Sequence, residues 1–277
     1  MKETILEVKH LKQYFPIRKN YIVKAVDDVS FELKKGEVFG LVGETGCGKS
    51  TIARSIMGVY PISGGGISLN GTMQMIFQDS AAALDSHMTV KQLIGEPLLI
   101  KKRYDEKKIL SLMQQVGLDE SYKDKYPSEI SGGQRQRVAI ARAISIEPDL
   151  IIADEPIASL DVSIQAQIIN LFIDLQKEKG FTFLFIAHDL SIIRFISDKV
   201  AVMRKGKIVE MATTEELFSN PIHPYTRSLL DAMPIPDPIY ERQKKVFEYD
   251  EKEYVETGKI LEVVKGHWVC EVKKYND

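Results

Sequence analysis

Eight consecutive residues, Gly43-Glu44-Thr45-Gly46-Cys47-Gly48-Lys49-Ser50, place three glycines, a lysine and a hydroxyl at the spacing of a phosphate-gripping loop, the Walker A pattern. The glycines let backbone N–H groups converge on phosphate oxygens with no Cβ in the way. A helix expected to begin near Lys49 directs its positive end at the same anion. Lys49 supplies a point charge for the terminal phosphates, and Ser50 offers a hydroxyl to Mg²⁺. Thr51 continues this run and is counted with Gly43–Ser50 as nucleotide-binding. Cys47 is expected to turn its side chain outward rather than to act as a redox thiol.

A second chemical cluster ends the apolar run Leu150-Ile151-Ile152-Ala153, where Asp154 and Glu155 follow as a Walker B pattern. Asp154 would hold Mg²⁺ through water, and Glu155 would take a proton from the attacking water as general base. Adjacent acids after a strand are common solvated turns, so the pair draws its meaning from the phosphate loop. His188 ends the next apolar run and can sit at the same sheet edge, to bond the γ-phosphate and steady the water. Gln78 follows Met75-Ile76-Phe77 and can reach metal and water, although a plain polar turn residue is a serious alternative there.

The elements that must position these groups alternate between strand and helix. Val38–Val42 is a short apolar strand running into the glycine-rich loop, and the helix after it continues through Ile52, Ala53, Ile56 and Met57. Ile5–Val8 and Val29–Leu33 predict an opening antiparallel sheet, Gly64-Gly65-Gly66 a turn, and Met73–Phe77 another strand. Thr89 to about Gln115 and Gln136–Ile146 carry helical periodicity. Leu150–Ala153 and Phe181–Ile186 are continuous apolar runs suited to strands buried on both faces. Between them, Ser163–Lys179 predicts a helix facing the core with Ile164, Ile168, Leu171, Phe172 and Leu175. The pattern is α/β, with a mostly helical insertion over about 89–147. An appendage follows Pro234-Ile235-Pro236.

Of the 277 residues, 44% are hydrophobic and 27% charged, which is enough apolar material for a sizeable core. A net charge of −2 provides no global basic field for nucleic acid. Cys47 and Cys270 lie far apart without metal-like spacing, which points to a reducing compartment. No apolar run approaches the roughly 18 residues of a membrane span, and no signal peptide is visible.

Ile130-Ser131-Gly132-Gly133-Gln134-Arg135-Gln136-Arg137 resembles the signature motif of the ABC ATPase family, whose usual first residue is leucine. A serine and two glycines at a helix start form a second anion site. In the family each ATP is sandwiched between one subunit's phosphate loop and the other's signature. The resemblance covers about residues 5–235. It implies a P-loop NTPase with a RecA-like core, an antiparallel β subdomain and an inserted α-helical subdomain. It also implies ATP and Mg²⁺ as ligands, with Ser131, Gly132, Gly133 and Gln134 contacting nucleotide, Gln78 coupling hydrolysis to membrane subunits, Asp161 in the D-loop and His188 as the switch histidine. Phe15 is similar in position to the aromatic that stacks on adenine, with Tyr14 as neighbouring candidate. An aromatic there equally suits the core.

Asn220-Pro221-Ile222-His223-Pro224-Tyr225-Thr226, with Leu229–Pro234, is similar to the segment marking the oligopeptide/dipeptide importer branch, which includes nickel importers. Asp161–Gln167 fits the same branch, and Lys265–Cys270 is similar to the tail of the second ATPase in such importers. The resemblance thus implies a 1–235 ATPase domain and a 236–277 appendage. It implies a second ATPase subunit (identical or merely similar), two integral membrane permease subunits and, indirectly, an extracytoplasmic solute-binding protein, with no nucleic acid. Its place would be the cytoplasmic face of the cell membrane. The alternatives are import of nickel or another small solute, a non-transport ABC ATPase, and a module that binds ATP without turnover. The last would be favoured by loss of Glu155 or His188, and both are present.

Four departures stand out. The D-loop reads Ile157-Ala158-Ser159-Leu160-Asp161 where relatives carry serine before alanine. Gln78-Asp79 is followed by Ser80-Ala81-Ala82 rather than proline, and Gly64–Thr72 is short. The tail lacks the cysteine cluster found in some members, which predicts no iron–sulfur site.

Overall fold

The structure, a computed structural model, describes residues 3–18, 21–234, 244 and 247–274. The first strands are β1 (Thr4–Arg18), β2 (Tyr21–Lys34) and β3 (Val38–Val42), followed by helix α1 (Lys49–Ile56), β4 (Gly64–Leu69) and β5 (Met73–Ile76). Helices α2 (Ser80–Ala83), α3 (Val90–Ile100), α4 (Glu106–Gln115) and α5 (Gly132–Ile144) lead to β6 (Leu150–Asp154), α6 (Val162–Lys179) and β7 (Thr182–Ala187). The chain closes with α7 (Leu190–Ile196), β8 (Lys199–Arg204), β9 (Lys207–Thr213), α8 (Thr214–Ser219), α9 (Pro224–Asp231), β10 (Tyr254–Val264) and β11 (His267–Lys274). It divides into two compact units. One holds Glu32–Val38 and Ser68–Ile186 with the chain before Val8, and the other holds Val8–Phe31, Phe39–Ile67 and the chain from Ala187 onward.

In the first unit β5, β6 and β7 pair in parallel, with Met73 opposite Leu150 and Leu150 opposite Thr182. Every residue of β6 and β7 is buried, which explains why their sequences are apolar without alternation. Helix α6 connects them and buries Ile168, Leu171, Phe172 and Leu175, while Ile164 is only half-buried. Phe172 meets Phe183 and Phe185 edge-to-face, with ring centroids 5.5 and 5.4 Å apart. Residues 89–147 carry α3, α4 and α5. Thr89 and Gln92 cap α3 reciprocally, and Asp105 caps α4.

In the second unit β3 runs parallel to β8, and β9 and then β11 and β10 continue antiparallel. The segment after residue 246 joins this sheet, with Trp268 and Val269 of β11 paired to Met211 and Glu210 of β9. The boundary expected at Pro234-Ile235-Pro236 falls at the edge of the described residues, since Ile235 and Pro236 lie outside them.

β1, β2 and β4 form a three-stranded sheet in the order β2-β1-β4. The glycine run at Gly64–Gly66 opens β4 instead of forming the expected turn. The reason is spatial: a Cβ on Gly65 would stand 2.2 Å from the His10 carbonyl oxygen, so the run keeps one strand against a kink in its neighbour. Among the described residues no helix is long and apolar enough to cross a membrane.

Replacing Phe172 by alanine removes the ring that both β7 phenylalanines pack against. A loss of about 3–5 kcal/mol is expected, measured by denaturant or thermal unfolding. A change within error would mean that α6 is not held by this cluster.

Candidate functional site

The apolar strand β3 stops at Val42, and the chain then turns through Gly43–Gly48 into α1. Gly48 is the N-cap of α1 with φ 113°, a conformation that costs little only for glycine, and a Cβ there would lie 2.1 Å from the Ala25 carbonyl oxygen. Gly43 is equally crowded, by the Met203 carbonyl oxygen at 2.2 Å. Lys49 is buried, and its Nζ donates to the carbonyl oxygens of Gly43 (2.7 Å) and Glu44 (3.0 Å), holding the loop closed on itself. Ser50 and Thr51 lie in the first turn of α1, and Glu44, Thr45 and Gly46 are exposed.

Cys47 corrects the expectation of an outward side chain. It is only 7% exposed, with its Sγ turned toward Gly43. Burial pushes its thiol up, against the opposing pull of Lys49.

At the end of β6, Asp154 is buried and Glu155 half-buried. Glu155 has φ 47°, a left-handed conformation that costs a residue bearing a Cβ about 1–2 kcal/mol. Two backbone bonds fix it: its N–H donates to the Ile186 carbonyl (3.0 Å), and its carbonyl accepts the Ala158 N–H (3.3 Å). Gln78 Nε2 donates to Glu155 Oε2 at 3.1 Å, so two residues 77 positions apart meet. Directly after Gln78, Asp79 accepts the N–H groups of Ala81 (2.9 Å) and Ala82 (3.0 Å). The missing proline is thus replaced by a capped short helix, α2.

Ser131 caps α5. Its Oγ accepts the Gln134 N–H (3.3 Å), and Gln134 Oε1 accepts the Ser131 N–H (2.8 Å). Arg135 donates to the carbonyls of Pro127 (3.0 Å) and Ile130 (2.7 Å), fixing the approach to that helix start. Gly132 lies in the same first turn, and at Gly133 a Cβ would strike Ile164 at 2.7 Å, so α5 and α6 approach closely there. Asp161 is exposed at the N-cap of α6.

In the other unit, His188 follows the last residue of β7 and is exposed. Phe15 is half-buried and packs edge-to-face on Tyr60 at 5.3 Å. Its neighbour Tyr14 donates its hydroxyl to Asp27, and that bond, with burial, pushes the Tyr14 phenol up to about 12. Of the two aromatics, Tyr14 is therefore committed to an internal acid.

Several supporting residues escape sequence reasoning. Gln165 reaches back to the carbonyls of Ile157 (3.1 Å) and Leu160 (3.0 Å) and braces the loop before Asp161. Gly206 N–H donates to the Cys47 carbonyl (2.9 Å). A glutamine in a first helical turn is a faint sign of such bracing, and Lys205-Gly206 reads only as a turn.

A family model described as ABC transporter matches residues 26–158, and one described as oligopeptide/dipeptide transporter, C-terminal region, matches residues 209–258. The oligopeptide transport ATP-binding protein OppF of Bacillus subtilis is 50% identical, over 97% of this chain and 96% of its own length. OppF of Streptococcus pyogenes serotype M1 is 48% identical over 99% of each chain. AmiF of Streptococcus pneumoniae, also an oligopeptide transport ATP-binding protein, is 48% identical over 97% of this chain and 95% of its own. Among solved structures, the dimeric ATP-binding cassette MJ0796 bound to ADP and Pi aligns with a TM-score of 0.69 at 25% identity, over 76% of this chain and 99% of that one. The cbiO1 protein of Clostridium perfringens, part of the ABC transporter complex cbiONQ, gives 0.69 at 28% identity, over 79% of this chain and 92% of that one.

Burial of Cys47 and Cys270, which raises both thiols, leaves less thiolate at a given pH than in the unfolded chain. Iodoacetamide at pH 8 is expected to label the native protein at least about 10-fold more slowly than the urea-unfolded protein. Equal rates would contradict the inward placement of Cys47.

Proposed function

The chain belongs to the ATP-binding proteins of the ABC transporter family, and from that premise we propose that it hydrolyses ATP to energise the import of oligopeptides. The observation that carries the hydrolytic reading is the Gln78–Glu155 hydrogen bond beside buried Asp154. It aims a carboxylate that a strained backbone already holds in place. The peptide assignment rests on the match over residues 209–258 and on the oligopeptide transport names of the relatives.

Gly43–Thr51 binds the phosphates, and Lys49 exchanges the Gly43 and Glu44 carbonyls for terminal phosphate oxygens. Glu155 accepts the proton of the attacking water, while the Gln78 N–H orients its carboxylate. His188 bonds the γ-phosphate, and Phe15 stacks on adenine. The Asp154 carboxylate, the Ser50 hydroxyl and the Gln78 amide oxygen are hard oxygen donors that fit Mg²⁺, and with the Gln78 nitrogen on Glu155 its oxygen is the atom left for a cation. When bound, that ion neutralises charge on the phosphates.

Ser131–Gln134, at the positive end of α5, serves the nucleotide of a second ATPase subunit, with Asp161 at the same interface. Whether that subunit is a copy or a similar chain leaves the chemistry unchanged. The pair works at the cytoplasmic face of the cell membrane on two permease subunits, which receive cargo from an extracytoplasmic binding protein. Phe77, next to Gln78, and Leu99 and Ile100, at the end of α3, are 43%, 64% and 73% exposed, apolar surface suited to such a partner.

Glu155→Gln is expected to lower ATP turnover at least about 100-fold while ATP binding persists and an ATP-dependent dimer accumulates on size-exclusion chromatography. Unchanged turnover removes Glu155 as the base. Lys49→Ala is expected to weaken ATP binding, read by equilibrium dialysis, and tight binding in that variant would contradict the phosphate role.

A further inference from the structure

Strand β8 runs beside β3 in register, Val42 opposite Val202. Beyond that pair β3 becomes the phosphate loop, and β8 passes through Met203 into the turn Arg204-Lys205-Gly206. This turn is in direct touch with the loop. Met203 presents its carbonyl to Gly43, Gly206 N–H donates to the Cys47 carbonyl (2.9 Å), and Gly206 oxygen accepts the Asp27 N–H (2.8 Å). Its middle residue, Lys205, has φ 43°, an unfavourable conformation that its surroundings must hold.

What holds it comes from the C-terminal segment. Arg204 is only 7% exposed. Its guanidinium forms ion pairs with Glu251 and Glu256 and lies over the Tyr249 ring, 4.6 Å from the centroid. Lys205 pairs with the same Glu251. Tyr254 stacks on Tyr249 at 5.2 Å, and Tyr225 meets it edge-to-face at 5.8 Å. Tyr225 is buried beside Glu44 of the phosphate loop, and burial, with Glu44, pushes its phenol up. The segment is anchored a second time where His267 binds Glu210 at 2.8 Å, both fully buried.

We propose that the segment Tyr249–Glu256 shapes the phosphate loop from behind, with Arg204 as the positioning residue that transmits its grip through the Arg204–Gly206 turn. A buried guanidinium stripped of both carboxylates must seek water. The turn that carries it moves with it, and the Gly206–Cys47 hydrogen bond lies on that turn. The C-terminal region thereby tunes nucleotide affinity without touching nucleotide. This rests on the phosphate-loop role of Gly43–Thr51 proposed above.

The test uses the full-length chain assembled with its permease subunits, a fluorescent ATP analogue for affinity, and steady-state ATPase kinetics. Glu251→Gln with Glu256→Gln is expected to raise KM for ATP and the analogue Kd about 10-fold, with kcat at saturating ATP within about 2-fold. Arg204→Met should do the same. The triple variant should be no worse than either, because all three changes break one link. Additive losses, or a lowered melting temperature with KM and Kd unchanged, overturn the relay. Should the doubly neutralised chain not fold, Arg204→Lys decides. It keeps the charge but loses the fork, so a KM raised about 3-fold supports the relay and an unchanged KM overturns it. Failure of the wild-type protein to bind the analogue would instead remove the phosphate-loop role itself.

Discussion

A loop that offers bare N–H groups to an anion must be held from its other side by something that leaves no room for side chains. Here that something is backbone. The Met203 and Ala25 carbonyls stand where Cβ atoms on Gly43 and Gly48 would be, and Gly206 bonds Cys47 between them. The loop's path is therefore set by strands and turns packed at contact distance, and any shift in those neighbours is a shift in the loop. Burial of the Cys47 side chain and the fold-back of Lys49 onto Gly43 and Glu44 follow from the same enclosure.

The end of β6 is built differently. There the apolar run of β6 delivers two acids at its end, and backbone hydrogen bonds hold the second in a strained conformation. Glu155 takes a left-handed backbone that neighbouring backbone bonds enforce, and Gln78 arrives from the end of β5 to meet its carboxylate. Local cost is accepted where direction matters, and the surrounding parallel strands supply the stability that allows it.

Much of this was legible in the sequence because the signals are local. The glycine-lysine run, the apolar strands before it and before Asp154, the serine that caps α5 and the periodicity of α6 each declare themselves within a dozen residues. The structure departs from that reading where the deciding contact is remote. Gly64–Gly66 reads as a turn until the His10 backbone is seen against Gly65, and Cys47 reads as outward until its enclosure is known. Nothing in the order of the C-terminal residues announces that Glu251 and Glu256 meet Arg204, or that β11 joins β9.

The loop before Asp161 shows what such backbone control permits. Gln165 holds the carbonyls of Ile157 and Leu160, and the Leu160 N–H bonds Ile157, so the path between them is drawn without help from the side chains of Ala158 and Ser159. Exchanging the order of alanine and serine there leaves the scaffold as it was and moves a single hydroxyl by one step along it. The hydroxyl is re-aimed along the loop while the backbone bonds of Glu155, a few residues upstream, stay as they are.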